Sequence, residues 1–303
     1  MIQITHKSTT LRKAIAQAIV KVSLPETIQA IKDKTVPKGD VLECARVAGL
    51  FAAKRTADMI PDCHPLPVEF TGVTYEISEM EIRVLVEIHT VYKTGVEVEA
   101  MHAASVVALT MYDMLKPIDK GISIEQIKLV QKKGGKSDFK KLSDKHLTAA
   151  VIVCSDSISA GENEDEAGRM IAEKLRNFGV EVDDLEVIPD EKIQIEEKAL
   201  LAVDEGIDLV IFTGGTGLSP RDVTPEALSN IIEQRVPGIE EAMRNYGQQR
   251  TPLAMLSRSI AGMIKNTLVL GVPGSTKGAT ESLDAIFPAV LHIFKAREGS
   301  RHD

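Results

Sequence analysis

Apolar residues in the first half of the chain predict three helices. Residues 40–60 form one of them, with Asp40 as its N-cap and Pro61 just after its end. Residues 99–115 form another, which stops before Pro117. A spacing of three or four residues predicts an earlier helix through Leu11, Ile15, Ile19 and Val22.

A strand period appears between the predicted helices. Ile82, Val84, Val86 and Ile88 alternate with Arg83, Leu85 and Glu87, which is typical of a half-buried antiparallel strand. Helices and strands in this half do not follow one another as strict strand–helix–strand units. We therefore expect the first half to be an α+β domain, a ferredoxin-like sandwich.

The second half alternates regularly between strands and helices. Strands are predicted at 148–154, 180–188, 208–212 and 267–271, with helices near 163–177, near 192–204 and after the last strand. This order predicts a three-layer α/β domain with a mostly parallel sheet, whose ligand site lies at the carboxyl ends of the strands. Glycine- or serine-rich turns follow three of these strands, which favours a phosphate-bearing ligand; the turns are 155–157, 213–217 and 273–276.

A polar, lysine-rich segment separates the two patterns. Residues 132–146 have little to bury, so we predict a domain at 1–141, a linker at 142–146 and a domain at 147–303. Charge changes across the same segment. Residues 1–141 hold 20 Lys and Arg against 17 Asp and Glu, whereas the remainder holds 16 against 27. Such a change is typical of two units of separate origin.

Composition excludes several classes of protein. The 303 residues are 44% hydrophobic and 26% charged, which is ordinary for a globular protein, and no apolar run is long enough to span a membrane. Aromatic residues make up 4% and Trp is absent, so we expect no nucleic-acid partner and no membrane association. Three cysteines without a CxxC pair and without an export signal favour a cytoplasmic location.

Ionisable residues of the first half each allow an ordinary structural explanation. Asp113 and Lys116 stand three apart on one predicted helix face, where an ion pair is common. Cys63 and His64 are adjacent and lack the spacing of a metal chelate, so we predict no metal there.

The order of short motifs in the first half is more specific than any single residue. It resembles the MoaC family, the cyclic pyranopterin monophosphate synthases of molybdenum cofactor biosynthesis, over about residues 1–139. The motifs are Lys38-Gly-Asp-Val41, residues 45–56, Cys63-His-Pro-Leu66, residues 94–100, Tyr112-Asp-Met-Leu-Lys116 and residues 133–137.

The resemblance implies an activity and its residues. The family converts a cyclised dihydro-GTP to cyclic pyranopterin monophosphate with loss of pyrophosphate. It implies that Asp113, Lys38 and Lys116 are catalytic. It places substrate contacts at Cys63, His64, Val98 and Glu99, with Glu97 nearby. Positioned acids, bases and cations suit a reaction that expels pyrophosphate.

The glycine loop Thr213-Gly-Gly-Thr-Gly217 can turn successive amides toward an anion, and Thr224 can cap the helix that follows it. The loop matches neither common nucleotide-binding glycine motif. A set of ordered motifs surrounds it and resembles the MogA/MoaB family of molybdopterin adenylyltransferases over about residues 147–296. The motifs include residues 189–191, 219–226, 256–258 and 273–275.

The second resemblance implies that ATP and molybdopterin yield adenylyl-molybdopterin and pyrophosphate with Mg²⁺. Asp190 and Asp222 would be the catalytic carboxylates and the magnesium ligands, since Mg²⁺ takes few carboxylates together with substrate phosphates. No tightly bound organic cofactor is expected. The nucleotide and pterin-phosphate site would be lined by Asp156, Thr213, Gly214, Gly215, Gly217, Ser257, Arg258, Gly274 and Ser275.

Two alternatives stay open beside a bifunctional enzyme. The second half could be a pterin-binding scaffold without adenylation, which the presence of both Asp190 and Asp222 disfavours. The chain could also be a nucleotide-dependent transferase unrelated to pterins, which the Cys63-His-Pro-Leu66 motif disfavours. The family resemblance further implies a homo-oligomer, a trimer or a hexamer.

Overall fold

The computed structural model describes residues 1–135 and 146–297. The chain divides into two compact units, Met1–Asp138 and Phe139–Asp303. The predicted linker at 142–146 lies outside the described residues except for His146, so its bounds stay a prediction. In the described part of the chain, no helix is long and apolar enough to cross a membrane.

Within residues 1–135, the first unit contains four strands and four helices. In chain order they are β1 (Thr10–Lys21), α1 (Pro25–Lys32), α2 (Val41–Lys54), α3 (Thr56–Met59), β2 (Phe70–Ile77), β3 (Glu81–Tyr92), α4 (Glu97–Leu115) and β4 (Ser123–Lys133).

The four strands form one antiparallel sheet in the order β2-β3-β1-β4, with α2 and α4 packed together against one face. The predicted alternation is confirmed, because Ile82, Val84, Val86 and Ile88 are all fully buried on that face. The arrangement confirms the predicted ferredoxin-like sandwich.

The predicted helix through Leu11, Ile15, Ile19 and Val22 is wrong, because the first three residues lie in strand β1 and Val22 directly follows it. A spacing of four residues fits a strand as well as a helix, since it also returns to the same face of a strand. The core face of β1 is formed instead mainly by alanines, Ala14, Ala16 and Ala18, together with Val20, each at most 1% exposed.

The predicted helix at 40–60 is confirmed in its start and divided near its end. Asp40 is the N-cap of α2 and accepts a hydrogen bond from the amide of Glu43 at 3.1 Å. Arg55 leaves the helical conformation, with φ −118° and ψ 20°, and the short helix α3 follows it.

Within residues 146–297, the second unit contains six strands and seven helices. They are β5 (Leu147–Cys154), α5 (Asp156–Ser159), α6 (Ala167–Asn177), β6 (Val180–Ile188), α7 (Lys192–Asp204), β7 (Leu209–Thr213), α8 (Thr224–Ile231), β8 (Gln234–Arg235), α9 (Pro237–Gln248), β9 (Ile260–Ile264), β10 (Thr267–Val272), α10 (Thr276–Ile286) and α11 (His292–Arg297).

Its sheet has the order β6-β5-β7-β10-β9-β8. The first four strands are parallel, and β9 and β8 add an antiparallel edge that the sequence pattern did not predict. Residues on α6 and α10 pack on one face of the sheet, and residues on α7 and α8 pack on the other. The predicted three-layer, mostly parallel α/β domain is confirmed.

Candidate active sites

In the first unit, the carboxylate of Asp113, near the C-terminal end of α4, forms ion pairs with the ammonium groups of two lysines. Lys116, at the C-cap of α4, contacts Asp113 Oδ1 at 2.8 Å, and Lys38, in the loop before α2, contacts Oδ2 at 2.7 Å. Lys38 also donates to the main-chain carbonyl of Asp113 at 2.9 Å. Hydrogen bonds from Lys116 and then Lys38 lower the pKa of the Asp113 carboxyl to about 2. The cluster therefore holds one negative and two positive charges at neutral pH.

At the N-terminal end of the same helix, the Cys63 thiol donates to Glu99 Oε1 at 3.2 Å. Glu99 is only 2% exposed, and within the described residues its Oε2 is buried without a hydrogen-bond partner. Burial raises the pKa of the Glu99 carboxyl above its usual value. Burial, followed by the bond to Glu99, raises the pKa of the Cys63 thiol to about 12. A buried carboxyl oxygen is thus left available to accept a proton or a hydrogen bond.

The other predicted substrate contacts lie at the same end. His64 Nε2 is 2.8 Å from the carbonyl of Ile2, the Val98 side chain is exposed, and Glu97 forms an ion pair with Lys132. Within one protomer, the structure therefore gathers Cys63, Glu97, Val98 and Glu99 around the start of α4.

These two groups are not brought together on one chain. At 1.5 Å of rise per residue, Glu99 and Asp113 are separated along α4 by about 21 Å. The predicted residues of the first half form a carboxyl–thiol group and a lysine–aspartate group at opposite ends of a helix.

Sequence reasoning missed Arg12 as a residue of this region. Its guanidinium donates to the carbonyls of Tyr92 and Lys93 at 3.3 and 3.5 Å, just before α4, and lies against Gly135. The available sequence signal was the pair of adjacent glycines in the 133–137 motif, both of which have positive φ in the structure.

In the second unit, the ends of β5, β7 and β10 converge as predicted. Gly214 has φ +107°, and a Cβ placed on it would clash with the carbonyl of Cys154 at the end of β5. A Cβ on Gly274, after β10, would lie 2.9 Å from the Gly214 Cα. Only glycine permits this approach of three main chains.

Two aspartates flank the glycine loop. A Cβ on Gly215, which has φ +60°, would lie 2.7 Å from Asp190 Oδ1, and a Cβ on Gly217 would lie 2.8 Å from Asp222 Oδ2. Asp222 is held by the amide of Ser219, which donates to Oδ2 at 2.7 Å. Both predicted catalytic carboxylates therefore border the loop predicted to hold phosphate.

Asp156 and Asp190 hold each other through their main chains. The Asp156 amide donates to Asp190 Oδ2 at 3.2 Å, and the Asp190 amide donates to Asp156 Oδ1 at 3.0 Å. Burial raises the pKa of Asp190, whereas hydrogen bonds from Arg221 lower the pKa of Asp156.

The donor set fits Mg²⁺ only together with a substrate. Asp190 Oδ1 is buried and, among the described residues, has no hydrogen-bond partner. Across residues 1–135 and 146–297, no three His, Cys, Asp or Glu side chains form a metal-binding group. Mg²⁺ is commonly bound by one or two carboxylates plus phosphate oxygens, so the pair Asp190 and Asp222 would fit such a site with a substrate present.

Some of the remaining predicted residues line a cleft at the glycine loop, and the others form hydrogen bonds that hold the main chain around it. A cleft of about 370 Å³ is lined by Gly215, Gly217, Asp222, Ser257, Gly274 and Ser275, together with Thr216, Leu256 and Pro273. Thr213 is fully buried and donates to the carbonyl of Pro273 at 2.9 Å, joining two strand ends. Arg258 donates to the carbonyls of Gly217 and Asp222 at 2.7 and 2.6 Å and pairs with Glu226.

The predicted capping role of Thr224 is wrong. Helix α8 begins at Thr224 itself and its N-cap is Val223. The Thr224 side chain is fully buried beneath Gly215 and makes no cap hydrogen bond.

Comparison with known proteins agrees with both halves. Residues 1–135 match the MoaC family, and residues 150–292 match the "Probable molybdopterin binding domain" family. A cyclic pyranopterin monophosphate synthase from Thermomicrobium roseum is 46% identical over 139 residues, covering 45% of this chain and 83% of its own length.

The second half is also similar to a solved structure, the molybdopterin biosynthesis enzyme MoaB from Thermus thermophilus. That protein is 40% identical, with coverage of 52% of this chain and 99% of its own and a TM-score of 0.48.

Similarity to other relatives extends over the whole chain. A molybdenum cofactor biosynthesis bifunctional protein from Chlorobaculum tepidum is 41% identical over 302 residues, covering 100% of this chain and 96% of that protein. The chain therefore belongs to the bifunctional proteins of molybdenum cofactor biosynthesis, in which a MoaC domain is fused to a MogA/MoaB-type molybdopterin-binding domain.

Proposed function

We propose that the first unit converts cyclised dihydro-GTP to cyclic pyranopterin monophosphate and pyrophosphate. The observation that carries this proposal is the pair of lysine ammonium groups bound to the Asp113 carboxylate. Lys38 and Lys116 are held by that carboxylate in defined positions, and both side chains remain partly exposed to a ligand. Fixed cations stabilise the negative charge that develops on a departing pyrophosphate.

The carboxyl–thiol group supplies proton chemistry at the other end of the substrate. Glu99 Oε2 accepts a hydrogen bond or a proton from a ring nitrogen, since it has no partner among the described side chains. Cys63 stays protonated at neutral pH because its pKa is about 12, so it donates to Glu99 and does not act as a thiolate nucleophile.

A second copy of the chain completes this site. A single substrate does not bridge about 21 Å of helix, so Glu99 of one copy acts opposite Asp113 of another. The outer surface of α4 supports this assembly, because Val98, Leu109 and Tyr112 are exposed apolar side chains on that helix. Apolar side chains exposed together on one surface are typical of an interface.

Asp113→Asn tests the synthase proposal. We expect loss of product by about 100-fold or more, measured by mass spectrometry after incubation with cyclised dihydro-GTP, because the two lysines lose their carboxylate anchor. Asp58→Asn, on exposed α3, is the matched control and should retain full activity. Product formation by Asp113→Asn at the wild-type rate would contradict the proposal.

We propose that the second unit transfers the adenylyl group of ATP to molybdopterin. The observation that carries this proposal is the buried Asp190 oxygen without a described partner beside Gly215, with Asp222 beside Gly217. When bound, Mg²⁺ would neutralise phosphate charge between these carboxylates and the nucleotide. The glycine-loop amides and the start of α10, whose N-cap is Ser275, orient the phosphate groups.

Two adjoining clefts provide room for two substrates. The cleft at the glycine loop shares Ser257, Pro273 and Ser275 with a second cavity of about 350 Å³. The second cavity contains the cationic side chains Arg244 and Lys277 and several apolar side chains. A flat pterin with a phosphate suits such a lining, which leaves the glycine loop for ATP.

Asp222→Asn tests the adenylation proposal. We expect loss of turnover and of Mg²⁺ dependence, because the carboxylate that would hold the metal becomes neutral. Molybdopterin affinity, followed by fluorescence titration, should change by less than about 1.4 kcal/mol, a factor of about ten. Asp183→Asn, on exposed β6, is the matched control. A wild-type protein that binds molybdopterin but forms no adenylylated product would instead be a scaffold.

A further inference from the structure

Arg221 is a highly connected charged residue at the second site, and none of the roles above uses it. Its guanidinium donates two hydrogen bonds to the Asp156 carboxylate, from Nε to Oδ2 at 3.0 Å and from Nη2 to Oδ1 at 2.9 Å. Its two terminal nitrogens also donate to Glu191 Oε1, both at 3.0 Å. The residue thus joins the loop after β7 to the ends of β5 and β6.

The position of Arg221 is significant because several carboxylates surround it. Among the described residues around the glycine loop lie the carboxylates of Asp156, Asp190, Glu191 and Asp222, and Arg221 directly neutralises two of them. The neighbouring Arg258 is committed to Glu226 and to two main-chain carbonyls. A polyanion approaching this edge meets a strongly negative surface, in which Arg221 is a cation bound to side-chain carboxylates.

We propose that Arg221 is an exchangeable counter-ion, which releases Asp156 and Glu191 and binds the phosphate oxygens of the incoming nucleotide or of pyrophosphate. This inference rests on the proposed adenylation. The Arg221 side chain is 55% exposed, so ligand oxygens can reach it without opening the fold. A planar guanidinium binds carboxylate and phosphate with the same paired geometry, so one anion can replace the other.

The proposal predicts that two variants change the affinity for pyrophosphate in opposite directions. Arg221→Ala removes the phosphate ligand and leaves the four carboxylates uncompensated, so pyrophosphate should bind about tenfold more weakly. Glu191→Gln removes a competitor for Arg221, so pyrophosphate should bind about threefold more tightly. A residue that merely braced the loop would weaken pyrophosphate binding in both variants.

Isothermal titration with pyrophosphate in the absence of Mg²⁺ measures both effects on the full chain. Titration with Mg²⁺ alone gives a third test. Arg221→Ala should tighten Mg²⁺ binding, because it removes a positive charge. Arg176→Ala, on the exposed end of α6, is the matched control for loss of one arginine and should shift neither affinity. Circular dichroism confirms that each variant is folded.

The outcomes separate this inference from the proposed function. Opposite shifts for Arg221→Ala and Glu191→Gln support the exchange. Pyrophosphate affinity within about twofold of wild type in Arg221→Ala, or weakened in both variants, overturns it. Adenylation by the wild-type chain is measured separately, so an inactive wild type contradicts the proposed function whatever the titrations show.

Discussion

In the second unit, three neighbouring parallel strands end at one edge and bring Val153, Thr213 and Val272 side by side. In the first unit, α4 holds Glu99 and Asp113 about 21 Å apart at its two ends. A parallel sheet gathers residues that are distant in sequence, whereas a helix keeps residues apart in proportion to their spacing. We therefore expect one site to be assembled within a single copy and the other to need a second copy.

The two sites also treat negative charge in opposite ways. Asp113 is outnumbered by Lys38 and Lys116, whereas Arg221 is outnumbered by the carboxylates around it. The first site can hold phosphates with its own cations. Under the functions proposed above, the second would depend on main-chain amides, on Mg²⁺ and on Arg221.

The largest effect is expected for Glu99→Gln. Synthase activity should fall by about 100-fold or more, because the amide cannot accept a proton, while adenylation remains unchanged. Product analysis of both reactions on the same preparation measures this separation. Glu79→Gln, in the exposed bend between β2 and β3, is the control, and loss of both activities in Glu99→Gln would contradict two separate sites.

The same variant should be more stable than the wild type at neutral pH. The pKa of Glu99 in the folded chain is raised by burial above 4.5, so its stabilising contribution is present at lower pH and is lost as pH rises through the folded value. Glu99→Gln does not ionise, so its free energy of unfolding at neutral pH should exceed that of the wild type by on the order of 1 kcal/mol. Denaturant unfolding across pH measures this; equal stability at every pH would indicate that Glu99 is not desolvated.

Gly215→Ala should damage the second site alone. The new Cβ would meet Asp190 Oδ1 at 2.7 Å and would occupy a position with φ +60°, so adenylation should fall by about tenfold or more. Gly179→Ala is the matched control, because Gly179 has φ +81° but nothing within 4 Å of its Cβ position. Gly179→Ala should lose about 1 kcal/mol of stability and Gly215→Ala more, because only its Cβ meets Thr224 and Asp190, and only Gly215→Ala should lose activity.

Asp40→Ala should weaken only the first unit. Loss of the α2 N-cap costs about 1 kcal/mol, so the unfolding transition of the first unit should move while that of the second does not. Scanning calorimetry follows both transitions. An equal shift of both would show that the two units unfold together.

The smallest effect concerns cysteine reactivity. Cys44 is exposed, whereas burial raises the pKa of both Cys63 and Cys154 to about 12. Brief alkylation at mildly alkaline pH, followed by peptide mass spectrometry, should modify Cys44 first. Equal modification of Cys63 would contradict its enclosed contact with Glu99.

Much of the fold could be predicted because burial leaves a periodic pattern. Strands β5, β7 and β10 are mostly apolar and buried and are followed by serine- or glycine-containing turns, so the predicted strand order placed Asp190, Asp222 and the loop at one edge. Strand β1 was mistaken because its core face consists mainly of alanines, which a hydrophobic period underweights, while the larger residues were spaced four apart. The two-residue strand β8 is too short to show any period.

The candidate sites were harder to predict than the fold. Family motifs named Glu99 and Asp113 together, and the predicted helix at 99–115 placed them near its opposite ends, but no pattern in one chain states which residues of which copy share a site. Arg221 stood within a matched motif, yet its partners Asp156 and Glu191 come from other loops and are set by tertiary structure. Arg258 was expected to contact a ligand, whereas its donors are directed to main-chain carbonyls and to Glu226.

Complementation between variants tests the contrast between the two sites most directly. Asp113→Asn and Glu99→Gln chains, each inactive alone, are co-expressed with different tags, and native mass spectrometry confirms that mixed oligomers form. A site shared by two copies predicts recovery of roughly a quarter of wild-type synthase activity, because mixed pairs contain one intact site. Asp190→Asn mixed with Asp222→Asn should recover no adenylation, since both carboxylates border one loop of one chain. No synthase recovery in mixed oligomers, or recovery of adenylation, would contradict this assignment.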